Sequence, residues 1–307
     1  MHNINNQNAG RYGNTSRKDI TMENTERRIA EAVQALVFDE GAKVELRDVH
    51  KNNGVILRQL QINNGERIQP SITIDDYIVQ AEAGRNIDEI AQEIVENNKK
   101  SMEIAKSFSN IELNYENVLS HTKACLVNYE NNKDMLEKIP HRQFLDLAVI
   151  YRCFLDANIS FIITNDAMEL LETNQNELWE AAETNADEYE CKSVSEFIRK
   201  KFGVYVPDEP LYFVTNKLKL YGSSVMLGTE PFRGLAKRFN SDLYIIPSSI
   251  HEVLAIPISE LPDTEVEDLE GLRAMVGIVN NNDVEEQEVL SSNVYLYSLD
   301  NDEISIA

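Results

Sequence analysis

Val44-Glu-Leu-Arg-Asp-Val-His50, Asn52-Asn53-Gly54 and Val55-Ile-Leu-Arg-Gln-Leu-Gln-Ile62 are the stretches that decide the fold class. Apolar and polar residues alternate through the two arms, the period of a strand whose successive side chains point to opposite faces. The Asn-Gly step between them tolerates positive φ and reverses the chain tightly, so the segment reads as a two-stranded antiparallel ribbon. A sheet begun by a hairpin belongs to an α+β fold rather than to a doubly wound parallel one.

The flanks agree with that reading. Upstream, Ile29, Ala32, Val33, Leu36 and Val37 recur at helical spacing, with Glu23 and Glu26 placed where the helix dipole favours acids. Downstream, Asn63-Asn64-Gly65 is a second turn, Pro70 to Ile74 a further strand, and Asp75-Asp76-Tyr77 the start of a short helix ending near Gly84. Ile87, Ile90, Ala91, Ile94 and Val95 give one face of a longer helix from Asn86 to Ser107. Residues 1–20, rich in Asn, Gly and Ser without an apolar period, read as a disordered tail.

Strands are expected at Lys123 to Tyr129, at Phe144 to Leu155, which is too apolar on both faces for a solvated edge, and at Ile159 to Thr164. Asn165-Asp166 reads as the cap of the next helix, Asn176 to Tyr189 as a helix packing Leu178 and Trp179, and Ser193 to Phe202 as one that opens on a Ser-x-x-Glu capping box. Gly203 to Pro210, with two prolines, is the best internal boundary. It divides an N-terminal α+β region, 21–203, from a C-terminal one, 204–307, the two expected to share one sheet and core. Beyond it come a strand at Leu211 to Thr215, a helix from Glu230 to Phe239, strands at Leu243 to Ile246 and Glu252 to Ile256, an acidic helix from Val266 to Val279, and a closing hairpin. The expected architecture is a mixed, mainly antiparallel sheet with helices packed on it.

Composition narrows function by exclusion. The 52 acidic against 29 basic residues leave a net charge of −23, which repels phosphate backbones and anionic lipid, so no nucleic-acid or membrane partner is expected. Cys125, Cys153 and Cys191 are odd in number and far apart, fitting neither a disulfide framework nor a metal knuckle, and read as reduced, mostly buried thiols. With a polar start in place of a signal peptide, the expected setting is cytoplasmic. The five histidines lack metal spacing, and GxGxxG, GxSxG, HExxH and the phosphate-loop pattern are missing, so no metal and no cofactor are expected.

Phe213-Val-Thr-Asn216, Leu220-Tyr-Gly-Ser-Ser224 and Leu243-Tyr-Ile-Ile-Pro-Ser-Ser-Ile-His-Glu252 resemble an uncharacterised bacterial domain-of-unknown-function family. Its members carry YG[AS] and LYI[IL]PSSxHE motifs. The likeness extends through Lys51 to Val55, Ile72 to Tyr77, Asn114 to Val127 and Pro140 to Val149, and more distantly to the YtpQ-like family. It implies a bacterial or phage cytoplasmic setting, and no substrate, cofactor or catalytic residue.

Two stretches could carry chemistry. Pro247 to Glu252 sets Ser248, Ser249, His251 and Glu252 on a connection between apolar strands, where a serine beside a histidine could be an activated nucleophile. Neighbours on an extended segment point to opposite faces, however, and position 255 is Ala where a metalloprotease helix would need its second His. Turn hydroxyls and a hydrogen-bonded histidine holding a corner are the structural alternative. The other stretch, Asn216, Tyr221, Gly222 and Ser223, could offer backbone N–H groups to an anion, with Arg233 on the following helix adding charge. The favoured function is a non-catalytic module that binds an unknown protein or small molecule. The alternative is a hydrolase or transferase at the Pro247 to Glu252 connection.

Overall fold

A computed structural model describes residues 17–66, 69–108, 112–155, 159–261 and 269–307. The segment read as a tail lies, as far as residue 16, outside the described residues; the first helix, α1, spans Arg17–Val37. Contacts divide the chain into two compact units, one of residues 1–50 and 56–111 and the other of 51–55 and 112–307.

In the first unit β1 (Lys43–His50) and β2 (Ile56–Asn63) pair antiparallel from Lys43↔Asn63 to His50↔Ile56, and β3 (Ser71–Thr73) adds to β2. The ribbon expected at Asn52-Asn53-Gly54 is therefore present and extended by one strand. Asn53 (φ 60°) and Gly54 (φ 72°) supply the positive dihedrals its turn requires. Helices α1, α2 (Asp75–Glu82) and α3 (Ile87–Phe108) bring Ile29, Val33, Ile78, Ile90 and Ile94 against Leu60, Ile62 and Ile74 of the sheet region. All are buried, as an amphipathic helix on a one-faced sheet demands.

The second unit contains two sheets. Around β6 (Leu147–Phe154), β4 (Thr122–Asn128) pairs on one side, with β5 (His141–Phe144) and β7 (Ser160–Ile162) on the other, all antiparallel. The single strand expected from Phe144 to Leu155 is thus a hairpin turning at Leu145 (φ 55°), and its apolar arm is the central strand. The other sheet has the order β13 (Glu303–Ile306), β12 (Tyr295–Ser298), β10 (Leu243–Ser249), β11 (Glu252–Pro257), β9 (Tyr212–Asn216), β8 (Tyr189–Ser193). It is antiparallel throughout. Gly203 to Pro210 lies inside this unit, between the paired strands β8 and β9.

Among the helices, Ser193 accepts the Glu196 N–H at the start of α8 (Val194–Phe202), as the capping pattern predicts. Two local readings are corrected. Thr164, rather than Asn165-Asp166, caps α6 (Asn165–Leu170), because its extended backbone aims the hydroxyl at the Ala167 N–H. Helix α7 (Gln175–Thr184) stops short of Tyr189, since Asn185 turns its amide onto the Leu119 and Thr122 carbonyls and the chain then enters β8. Helix α9 (Glu230–Phe239) sets Phe232, Leu235 and Ala236 into the core beneath the six-stranded sheet, and α10 (Leu269–Asn282) packs Leu272 and Val276 near Tyr244. No described helix is long and apolar enough to cross a membrane.

Candidate functional site

The two stretches singled out in the sequence meet. Strand β9 runs antiparallel to β11, which places the end of β9 beside the β10–β11 connection. Thr215 Oγ1 donates to the His251 carbonyl at 2.7 Å, and Ser223 Oγ donates to the Ile250 carbonyl at 2.8 Å. Asn216 closes the intervening loop by accepting the Leu220 N–H at 3.3 Å while its amide donates to the Leu220 carbonyl at 3.0 Å. Tyr221 turns through φ 52° to enter a 3-10 segment, Gly222–Leu227. At Gly222 a Cβ would lie 2.1 Å from Thr215 Oγ1 and 2.4 Å from the His251 carbonyl oxygen, so the close approach of two backbones explains the glycine.

His251 serves the same corner. Its Nδ1 accepts the Tyr221 N–H at 3.1 Å, which in the neutral ring leaves the proton on Nε2, 3.5 Å from Glu288. Ser249 Oγ accepts the His251 backbone N–H at 3.0 Å, and Ser248 occupies the irregularity where the β10–β11 register shifts between Pro247 and Ser249. Glu252 is paired in the ladder opposite Ser249. Among the described bonds none joins either serine to the imidazole. The Ser223 and Ser249 hydroxyls, the Asn216 amide and His251 Nδ1 are each engaged with backbone groups of these two stretches.

Arg233 is likewise occupied. Its guanidinium grips Asp302 from two nitrogens and reaches Thr229 Oγ1 at 2.8 Å, while the Tyr297 hydroxyl donates to the same carboxylate at 2.8 Å. Arg233 and Tyr297 together hold the Asp302 carboxyl down to about 2.

Asn216 and Tyr221 have a second role. On the far side of this corner they help to wall a cavity of about 390 Å³, together with Ala124 and Cys125 of β4, Phe154 of β6 and Trp179 of α7. Leu220, Val225 and Leu227, and Thr229, Glu230 and Pro231 at the start of α9, complete its lining. Inside, Lys123 Nζ meets Asp187 Oδ1 at 2.5 Å, with both side chains about one-fifth exposed. Phe154 and Tyr221 meet edge to face with ring centroids 6.1 Å apart. Burial raises the Cys125 thiol to about 12 and pushes the Tyr221 phenol up, so neither ionises near neutrality.

The corner, the cavity and the strands that frame them all lie within residues 22–299, the span matched by a family model. The chain belongs to the family of unknown function DUF5688. No curated protein and no solved structure matches it. The match encloses both motif-bearing stretches as well as the cavity. Among the described residues no three His, Cys, Asp or Glu side chains are grouped as a metal site would need.

Lys123, Asp187, Phe154 and Glu230 were not singled out in the sequence as site residues, and Trp179 was read only as packing. Lys123 and Asp187 are 64 positions apart and touch because α7 lies against β4. No motif encodes that contact. The available signal was weaker: a lysine, Lys123, at the head of an otherwise apolar strand, where an unpaired charge is costly to bury.

Proposed function

We propose that the chain is a binding module whose ligand occupies the cavity walled by β4, α7, the 216–227 segment and the start of α9. The observation that carries this reading is the cavity itself. At about 390 Å³, with an apolar and aromatic wall interrupted by the partly buried Lys123–Asp187 pair and a few further polar side chains, it has the size and lining of a site that encloses an apolar body and fixes its orientation through a few polar groups. A non-catalytic role is supported by the state of its reactive groups. The Cys125 thiol stays protonated, and the Lys123 ammonium is held by Asp187. The hydrolase or transferase reading at Pro247 to Glu252 draws no support from the geometry, because none of the described bonds joins Ser248 or Ser249 to the imidazole, and a neutral ring that accepts at Nδ1 carries its proton on Nε2, leaving no lone pair to take a serine proton. The lack of a nucleic-acid or anionic-membrane partner belongs to the same reading, supported by the net charge of −23, and a bacterial or phage cytoplasmic setting goes with the family resemblance.

Trp179, the only tryptophan in the chain, lines the cavity and reports on it directly. A panel of small aromatic fragments titrated against the full chain is expected to shift its emission saturably. Ala186→Phe, which fills an exposed part of the wall, is expected to weaken the tightest fragment at least tenfold without altering the unfolding midpoint. If no fragment moves the emission, or Ala186→Phe leaves affinity unchanged, the cavity is not the binding site.

A further inference from the structure

Strand β8 ends the six-stranded sheet, and no described strand pairs with its outer edge. The Val194 N–H donates to the Leu211 carbonyl at 2.9 Å beyond one end of the strand, and the Lys217 N–H donates to the Glu188 carbonyl at 3.0 Å beyond the other. Residues 188, 190, 192 and 194 therefore direct their backbone groups towards β9. By the two-residue alternation of an antiparallel ladder, Tyr189 and Cys191 direct theirs outwards. Unpaired backbone donors and acceptors along an edge are a template for another strand.

The side chains along that edge do not close it. Tyr189, Cys191 and Ser193 share one strand face and, with Tyr212, Leu235 and Arg238, line a groove of about 610 Å³ between β8 and α9. Tyr189 and Pro231 belong both to this groove and to the cavity, so the two are continuous at the start of β8. Their charge is one-sided. In the cavity Glu183, Asp187 and Glu230 face a single ammonium, that of Lys123, which Asp187 already holds. In the groove Lys192 is paired with Glu190 and Asp208 with Arg199, leaving Glu196 and Glu209 against Arg238.

We infer that the ligand is an extended peptide segment that adds to the free edge of β8 as a further strand and sets a basic side chain beside Tyr189, in the mouth of the cavity. Cross-strand partners share a face of the sheet, about 4.5–5.5 Å apart at Cβ. The peptide residue opposite Tyr189 therefore points its side chain to the wall common to groove and cavity, where the carboxylates lie. Main-chain pairing supplies affinity and the acidic cavity supplies selection, the division of labour of strand addition. This inference rests on the cavity being a binding site, and adds the chemistry of its occupant.

The test pans a phage-displayed library of random linear heptapeptides on the full chain and measures enriched peptides, synthesised with capped ends, by fluorescence polarisation. Enriched sequences are expected to carry Lys or Arg. Cys191→Pro deletes an outward N–H without touching a bond to β9, a substitution that an edge strand tolerates. It is expected to weaken those peptides at least tenfold. Should Cys191→Pro fail to fold, N-methylation of alternate peptide bonds decides the matter, with one phase expected to abolish binding and the other to spare it. Enrichment of acidic or no peptides, indifference to Cys191→Pro in a folded chain, or indifference to N-methylation overturns the inference. If fragments still shift Trp179 emission in Cys191→Pro, the cavity site stands while the strand-addition reading falls.

Discussion

The first unit buries an almost wholly aliphatic set, Ile29, Val33, Leu60, Ile62, Ile74, Ile78, Ile90 and Ile94, with Thr25 and Asn98 as its buried polar residues among those described. The second buries Tyr151, Phe232, Tyr295 and Tyr297, and with them Thr122, Asn132, Ser195, Thr215, Asn216, Ser223, Ser249, Asn280 and Ser291. Dispersion and the hydrophobic effect hold the first, and these are insensitive to direction. The second adds directional cross-links. Asp146, for example, accepts from Ser291 at 2.7 Å, Asn293 at 3.0 Å and the Tyr295 hydroxyl at 2.8 Å. Burial first, and then that carboxylate, drives the Tyr295 phenol far above its usual range. A core of the first kind accepts another residue of equal volume. One of the second kind does not, because every displaced donor leaves an acceptor buried without a partner, at about 1–3 kcal/mol each.

The sharpest way to break this contrast is Gly222→Ala. The added methyl meets a hydroxyl and two backbone atoms at 2.1, 2.4 and 2.9 Å, so the corner must open and release the Thr215, Ser223 and His251 bonds together. A loss of ~4 kcal/mol or more is expected in urea unfolding, beyond the ~1–3 kcal/mol of an ordinary overfilled core because backbone cannot rotate away. A loss below ~1 kcal/mol would show that the corner is pliable. Ile90→Leu, in the first unit, is expected to cost less than ~1.5 kcal/mol by the same measurement, since total volume is kept and no polar bond is involved. Equal losses for the two variants would erase the distinction between the units.

The smallest effect concerns pH. The folded Asp302 carboxyl is depressed to about 2, below its unfolded value of ~3.9, so its contribution to stability is complete above that unfolded value and is lost as pH falls through about 2. Asp302→Asn removes that contribution. It is expected to lower the unfolding midpoint slightly at pH 6 and to flatten its decline between pH 4 and 2. An unaltered acid limb in Asp302→Asn would place the acid sensitivity elsewhere.

Much of the fold was legible because local chemistry and final structure agreed. The Asn52-Asn53-Gly54 turn, the Ser193 cap, the inner faces of α1 and α3 and the limits of α9 each follow from a few neighbouring residues. The misread elements share a cause. The hairpin at Leu145 gave no turn signal because Leu there adopts a positive φ that only its surroundings sustain, and Tyr189 read as helix because its pairing partner, Asn216, is distant in sequence. Of the candidate site, Asn216 and Tyr221 do reach the cavity. Ser249, His251, Gly222 and Ser223 are joined to one another's segments, and Arg233 to Asp302. Their residue types announced an arrangement without saying whether it faces a ligand or a backbone.

By itself the sequence determined periodicities, turns, caps and a strongly negative charge, since each depends on residues a few positions apart or on composition alone. Only the tertiary structure decided that β9 meets the β10–β11 corner, that Lys123 finds Asp187 over a cavity, and that β8 ends its sheet with an open edge. Each of these joins residues tens of positions apart, where selection among possible partners rests on the packing of whole elements and leaves no local pattern to read.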